Sequence, residues 1–249
     1  HLPGAHRGDA VRKQFWSDIW TVMRKEWMEW VATPGFWIQP MVVVITFGVF
    51  APLVAGRLWL DYPIVQWLWS WLPLAMSAGM IADTFAGERE RDTLEALLAS
   101  RLPDRAIVLG KVAAVAAYGW SVTLLCWLAG WLSVRLAYDG AFATAVPDLG
   151  FVLVWPVILT ALSACLVACL GVLISLRASS VRQAQQLMSV AMLGTLLIVG
   201  LLAAELLNLG MGSHTAAVLA GTAAVLALCN AVLLAALLFR PQRSEWLIY

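Results

Sequence analysis

Charge is scarce in this sequence. Asp, Glu, Lys and Arg make up 12% of its 249 residues, hydrophobic residues make up 62%, and the mean hydropathy is +0.83. A soluble domain of this length cannot bury so much apolar surface in one core, so an integral membrane protein is expected. Histidine is rarer still. His1, His6 and His214 are the only three, no H-E-x-x-H or Cys–His pairing occurs, and a metal enzyme would have no ligand set to use. The four cysteines, Cys126, Cys165, Cys169 and Cys229, all fall in apolar runs. Cys165 and Cys169 share a helix face, but no His or carboxylate stands near them in sequence, so they are expected to be small packing residues. No G-x-x-x-x-G-K-[ST] loop is present and the polar segments are too short for a nucleotide-binding domain, so the chain is not expected to hydrolyse ATP alone. A formal net charge of +1 gives no reason to expect a nucleic-acid partner.

What is there is a set of long apolar runs. A hydrocarbon core about 30 Å thick takes about 20 helical residues to cross. Six stretches meet or approach that length, at 36–56, 64–86, 106–136, 147–176, 186–208 and 216–239. The expected fold class is therefore an all-α integral membrane protein with six transmembrane helices. The third and fourth runs exceed one crossing and are expected to leave the membrane, tilt or break, with Trp155-Pro156 as the expected kink. Placing the N-terminus inside leaves only Arg57 and Arg135, of the 16 Lys and Arg residues, on the outer side. That bias predicts an even number of spans, both termini cytoplasmic, and a multi-pass protein of the inner or plasma membrane. The division that follows is 1–35 as an N-terminal cytoplasmic segment, 36–240 as the membrane domain and 241–249 as a cytoplasmic tail. The first apolar run is long and follows about 35 residues of charged and amphipathic sequence, unlike a cleavable signal peptide.

Within the first segment, Phe15, Trp16, Trp20, Met23, Trp27, Trp30 and Val31 recur at spacings of three and four, with Asp18, Arg24, Lys25, Glu26 and Glu29 between them. This pattern predicts an amphipathic helix lying in the lipid interface, with packing on other protein surface as the alternative, and Thr33-Pro34-Gly35 then turns the chain into the membrane. Short outer loops at 57–63, 138–147 and 208–215 leave no room for a receptor domain. Trp59, Trp67, Trp69, Trp71, Trp131 and Trp155 are expected to form an aromatic belt near the outer boundary. Small residues at Ala113/Ala117, Ala164/Ala168 and Ala217/Gly221 are spaced for close helix contact.

The one dense charge cluster runs from Glu88 to Arg105. Leu94, Leu97, Leu98 and Leu102 form a stripe at helical spacing, Arg91 and Glu95 sit at i,i+4 as an ion pair, and Pro103 ends the segment with Asp104 placed to cap the next helix. Topology needs Lys and Arg but hardly needs Glu88, Glu90, Asp92, Glu95 and Asp104. Balanced charge over leucines predicts a helix at about 88–101 that meets a soluble partner.

Glu88-Arg89-Glu90-Arg91-Asp92-Thr93-Leu94-Glu95-Ala96-Leu97-Leu98, followed by Ile107-Val108-Leu109-Gly110-Lys111, resembles the pattern E-R-E-x-G-T-L-E-x-L-L…P…x-L-G-K of the ABC-type 2 export permeases. Arg24-Lys25-Glu26 is similar to a basic-acidic triplet that precedes the first span in that family. The resemblance covers the topology of the whole chain and about 25 residues closely. It implies that Glu88, Arg89, Glu90, Arg91, Asp92, Thr93, Leu94, Glu95, Leu97, Leu98 and Arg101 form a coupling helix docked in a cytoplasmic ABC ATPase subunit. It further implies that Trp16, Trp20, Arg24, Lys25, Glu26, Trp27 and Trp30 belong to a connecting helix beside it. ATP and Mg would be held by the ATPase, no cofactor by this chain, and a second permease copy would complete the unit within membrane lipid. Two departures stand out: Asp92 where the family often has Gly, and Arg101 where it often has Pro, with Pro103 two positions on. Asp92 is expected at an early helical position, facing the helix dipole.

Other polar residues in or beside the spans are Gln39, Asp83, Glu205, Asn208 and Asn230, with Gln183, Gln185 and Gln186 opening the fifth span as a vestibule or as its wetted start. An intramembrane serine hydrolase would have to rely on Ser77 and His214, and lone membrane serines usually bond their own backbone. The rival to a permease is an ATPase-independent channel or scramblase. No polar constellation selects a substrate.

Overall fold

A computed structural model describes residues 4–56, 59, 71, 79–81, 83–94, 97, 99–137, 149–208 and 215–239. Helices account for all regular structure among them, so the chain is an all-α membrane protein. Helix α1 runs from Gly4 to Ala32 and ends where Thr33 donates from its amide to the Trp30 carbonyl and from its hydroxyl to the Glu29 carbonyl. Gly35, at φ 82°, completes the turn that the Thr-Pro-Gly triplet predicts. Helix α2, Ile38–Ala55, contains a π-helical stretch at Val44–Phe50. It stops at Gly56, whose φ of 55° suits a residue without Cβ. Residues 83–90 form α3. Helix α4 is Asp104–Ala137, α5 Leu149–Arg177, α6 Val181–Asn208 and α7 Thr215–Leu238.

Four of these helices, α2, α4, α5 and α7, are long and apolar enough by their described residues to cross a membrane. The predicted fifth run lies within α6, whereas most of 64–86 lies outside the described residues. About half of the most apolar window of α4 and of α5 is buried (50% and 56%), against 22% for α2 and 17% for α7. The α4–α5 pair is therefore the interior of the bundle, and α2 and α7 turn most of their surface outward. Val112, Val115 and Val122 of α4 and Leu159, Val167 and Val172 of α5 belong to one continuous core. Ala164 and Ala168 are buried in it, as their spacing predicts, while Gly221 faces open space.

Several expectations are corrected. Of the alternatives for the third and fourth runs, only a break is excluded: α4 and α5 are each one continuous helix, and α5 runs on through Pro156. There Thr160 donates its hydroxyl proton to the Pro156 carbonyl at 2.6 Å, a back-bond within the helix. Trp59 and Trp71 are 1% exposed, so both are core residues and not part of a belt. The Trp59 ring lies where a side chain at Gly130 would otherwise extend. Trp131 and Trp155 are half-buried, and Trp67 and Trp69 lie outside the described residues.

α1 also differs from a simple interfacial helix. Ile19, Val22, Glu26 and Trp30 form a buried stripe against α4, with Gly110 so close to Val22 that an added Cβ would lie 2.6 Å from the Val22 Cβ. The exposed Trp16 and Trp20, with half-exposed Trp27, occupy the adjacent stripe. At about 100° per residue, α1 thus has three faces, one on protein, one of tryptophan and one of charge.

Candidate functional site

The end of the bundle where α4 begins gathers most of the ionic contacts of the described chain. Lys111 comes about two turns into α4 and is 0% exposed. An ammonium so placed requires acceptors for all three protons. It donates to Glu26 Oε1 of α1 at 2.7 Å and to the Thr84 carbonyl of α3 at 2.7 Å, and lies 3.1 Å from Glu88 Oε1. The Phe85 ring, with its centroid 4.9 Å away, covers the remaining side. Lys25 reaches the same Glu88 oxygen at 3.0 Å and Glu29 at 3.2 Å. Partial burial alone would lower the Lys25 pKa, but attraction to Glu88, Glu26 and Glu29 outweighs it and raises the pKa above the ordinary lysine value.

Each of the next three side chains goes elsewhere. Arg89 donates to the Ala178 and Leu176 carbonyls at the C-terminal end of α5, where helix carbonyls lack intrahelical partners. Burial lowers its pKa. Glu90 accepts the Val181 amide proton at 2.8 Å and places a carboxylate at the N-terminus of α6. Arg91 folds back on Asp83 in a two-pronged pair at 3.1 and 3.3 Å, and that bond holds its pKa above the usual arginine range. Gly87 lies between those partners, and a Cβ there would sit 1.9 Å from Asp83 Oδ1. Ser175 of α5 accepts the Phe85 and Ala86 amide protons at 3.0 Å each, tying α3 to α5 a second time.

The segment predicted as one helix at 88–101 is divided. Glu88–Glu90 complete α3, Arg91 and Asp92 turn, and a new helical turn starts at Thr93, whose carbonyl accepts the Leu97 amide. Asp92 sits at φ 55°, in the left-handed region, which corrects its assignment to an early helical position. Glycine, which the family often has at this place, adopts that conformation without a Cβ clash. Arg91 pairs with Asp83, and Glu95, the partner expected for it, lies outside the described residues together with Leu98. Leu94 is buried at 4% exposure and Leu97 is half-buried, so both belong to the core. Glu88 is equally buried, and Asp92, Thr93 and Arg101 are exposed.

Among the connecting-helix residues, Glu26 and Trp30 point inward, Lys25 joins the ion cluster, and Arg24 is exposed. Lys111 is the site residue that a topological count of basic residues passes over. A lysine in the apolar run Val108-Leu109-Gly110-Lys111-Val112 is the signal that marks it, because such a charge needs a partner. The Gln183 side-chain oxygen accepts from the Ser179 amide and hydroxyl, and the Gln183 backbone N–H donates to the Ser180 hydroxyl, so Gln183 takes part in an N-terminal cap of α6. Asn230 clamps α7 to α5 by donating to the Leu162 carbonyl at 2.9 Å. Ser77, His214 and the Glu205 and Asn208 side chains lie outside the described residues.

These features define a helical membrane protein in which the last turn of α3 ties α1, α4, α5 and α6 together. A family model described as ABC-2 family transporter protein matches residues 64–230, and the chain belongs to that family. It is thus a membrane transport component of permease type. No curated protein matches the chain.

Proposed function

We propose that this chain is the membrane subunit of an ATP-driven exporter, with six spans, both termini in the cytoplasm and the 88–101 segment facing a separate ATPase. The ATPase carries ATP and Mg, and two permease copies form the working unit, as in the family's usual arrangement. The observation that carries this reading is the division of labour along Glu88–Arg91, where consecutive side chains engage α1 and α4, then α5, then α6, then α3 itself. A push on a segment wired this way is delivered to several membrane helices at once, whereas a loop serving topology alone needs none of these bonds. Among the described residues of the segment, Asp92, Thr93 and Arg101 are exposed and available to meet the partner.

Purification from native membranes tests the reading. Wild type is expected to retain a soluble ATP-binding protein, and the Thr93→Lys, Arg101→Glu double variant to lose it while eluting as wild type. Absence of any ATPase from the wild-type preparation, or undiminished retention by the double variant, overturns the docking role.

A further inference from the structure

A cavity of about 640 Å³ opens between α1 and the segment from Asp83 to Ser100. Four carboxylates line it, Glu26, Glu29, Asp83 and Glu88, against the two cations Lys25 and Arg91. Counting Lys111, which touches Glu26 and Glu88, the cluster still carries one net negative charge. The cations are already engaged: Arg91 by Asp83, Lys25 by Glu88 and Glu29. An anion would therefore find no free cation among the described walls. Two lining atoms are left without a partner, the Ser100 hydroxyl oxygen and one oxygen of Glu88, and only the second belongs to a charged acceptor. Glu88 is 4% exposed, its Oε1 serves both lysines, and its Oε2 is buried without a hydrogen-bond partner. A buried carboxylate oxygen in that state gains from any donor that enters. Trp30 and Leu97 give the same cavity an apolar wall. The volume suits a small organic group rather than a bare ion, and the described acidic residues form no grouping able to hold a metal.

We propose that this cavity binds a primary ammonium group, which donates to the free oxygen of Glu88 and is held by the one surplus negative charge of the cluster. Two sources carry that chemistry, the headgroup of an ethanolamine lipid and a free small amine. The experiment uses the full chain in nanodiscs of phosphatidylcholine and phosphatidylglycerol, with and without phosphatidylethanolamine, followed by thermal unfolding. Ethanolamine hydrochloride is titrated calorimetrically into the discs that lack phosphatidylethanolamine. The choline headgroup has no N–H, so it is the internal control. A raised melting point with phosphatidylethanolamine and no response to ethanolamine assigns the lipid as the source. Binding of ethanolamine without a lipid effect assigns a free amine, and both responses together assign a site open to either. Glu88→Gln is expected to weaken the response on the order of tenfold. Should that variant not fold, half-exposed Glu29→Gln is expected to weaken it severalfold. No response in either arm, or an undiminished response in every variant that folds, overturns the proposal.

Discussion

Lys111 shows how one side chain sets the character of a site. Its ammonium is fully buried and its three protons face Glu26, Thr84 and Glu88. Replacing it with Met leaves the two buried carboxylates Glu26 and Glu88 with only the partly exposed Lys25 as counter-charge, at a cost of about 3 kcal/mol. Lys111→Met is therefore expected to lower the melting point in detergent sharply. Adding Glu26→Gln and Glu88→Gln is expected to return part of the loss, because the repulsion goes with the charges. A Lys111→Met melting point equal to wild type would show that the cluster does not stabilise the fold. Asp92 makes a smaller, local claim. At φ 55° it is strained for most side chains, so Asp92→Gly is expected to be neutral or stabilising and Asp92→Val to cost about 1–2 kcal/mol in the same assay. That position was half legible in the sequence. The exchange with the family's glycine marked it as special, but charge suggested a helix dipole, and only the backbone dihedral identifies the real demand.

At the scale of elements, apolar run length carried the fold. The runs at 106–136, 147–176 and 216–239 agree to within about two residues with α4, α5 and α7, because a span must hold its backbone bonds within one helix. The site was far less legible. Lys25 and Glu88 are 63 residues apart and Glu26 and Lys111 are 85 apart, and no local periodicity reports a pairing across such distances. The same limit explains α1, whose tryptophans suggested one apolar face, while packing on α4 takes Trp30 and the Trp27 indole N–H from that face and adds Ile19 and Val22, leaving Trp16 and Trp20 exposed. Close approach at Gly110 makes that packing testable. Gly110→Leu is expected to push α1 off α4 and cost about 1–3 kcal/mol, seen as faster proteolysis of the N-terminal helix. The Lys25 link adds a pH dependence. Its pKa is raised above the ordinary 10.5, so its stabilising contribution is complete below 10.5 and is lost as the pH rises through the higher folded value. Alkaline melting curves of wild type are expected to fall more steeply than those of Lys25→Ala, and parallel curves would remove Lys25 from the link.

For the molecule as a whole, helix length and charge position fix where the hub lies relative to lipid. α4 has 34 residues and, at 1.5 Å each, spans about 51 Å, well beyond a hydrocarbon core of about 30 Å. Lys111 lies seven residues, or about 10 Å, from the start of that helix, so the surplus length at this end can carry the whole ion cluster to the level of the headgroups. The tryptophan stripe of α1 would then lie at the same depth, where indole is favoured. With an inside N-terminus, Arg101 and Ser179 share the cytoplasmic side, and Leu136, near the far end of α4, faces outward. Single cysteines at these three positions, in a background with the four native cysteines replaced by Ala or Ser, give a direct readout. A membrane-impermeant maleimide applied to intact cells is expected to label Leu136→Cys alone, and to reach Arg101→Cys and Ser179→Cys only after the cells are opened. Labelling of Arg101→Cys in intact cells would invert the orientation and take the hub away from any cytoplasmic ATPase. Labelling of Arg101→Cys and Ser179→Cys from opposite sides would instead contradict the crossing of both α4 and α5, because that pair of helices returns the chain to the side from which it started.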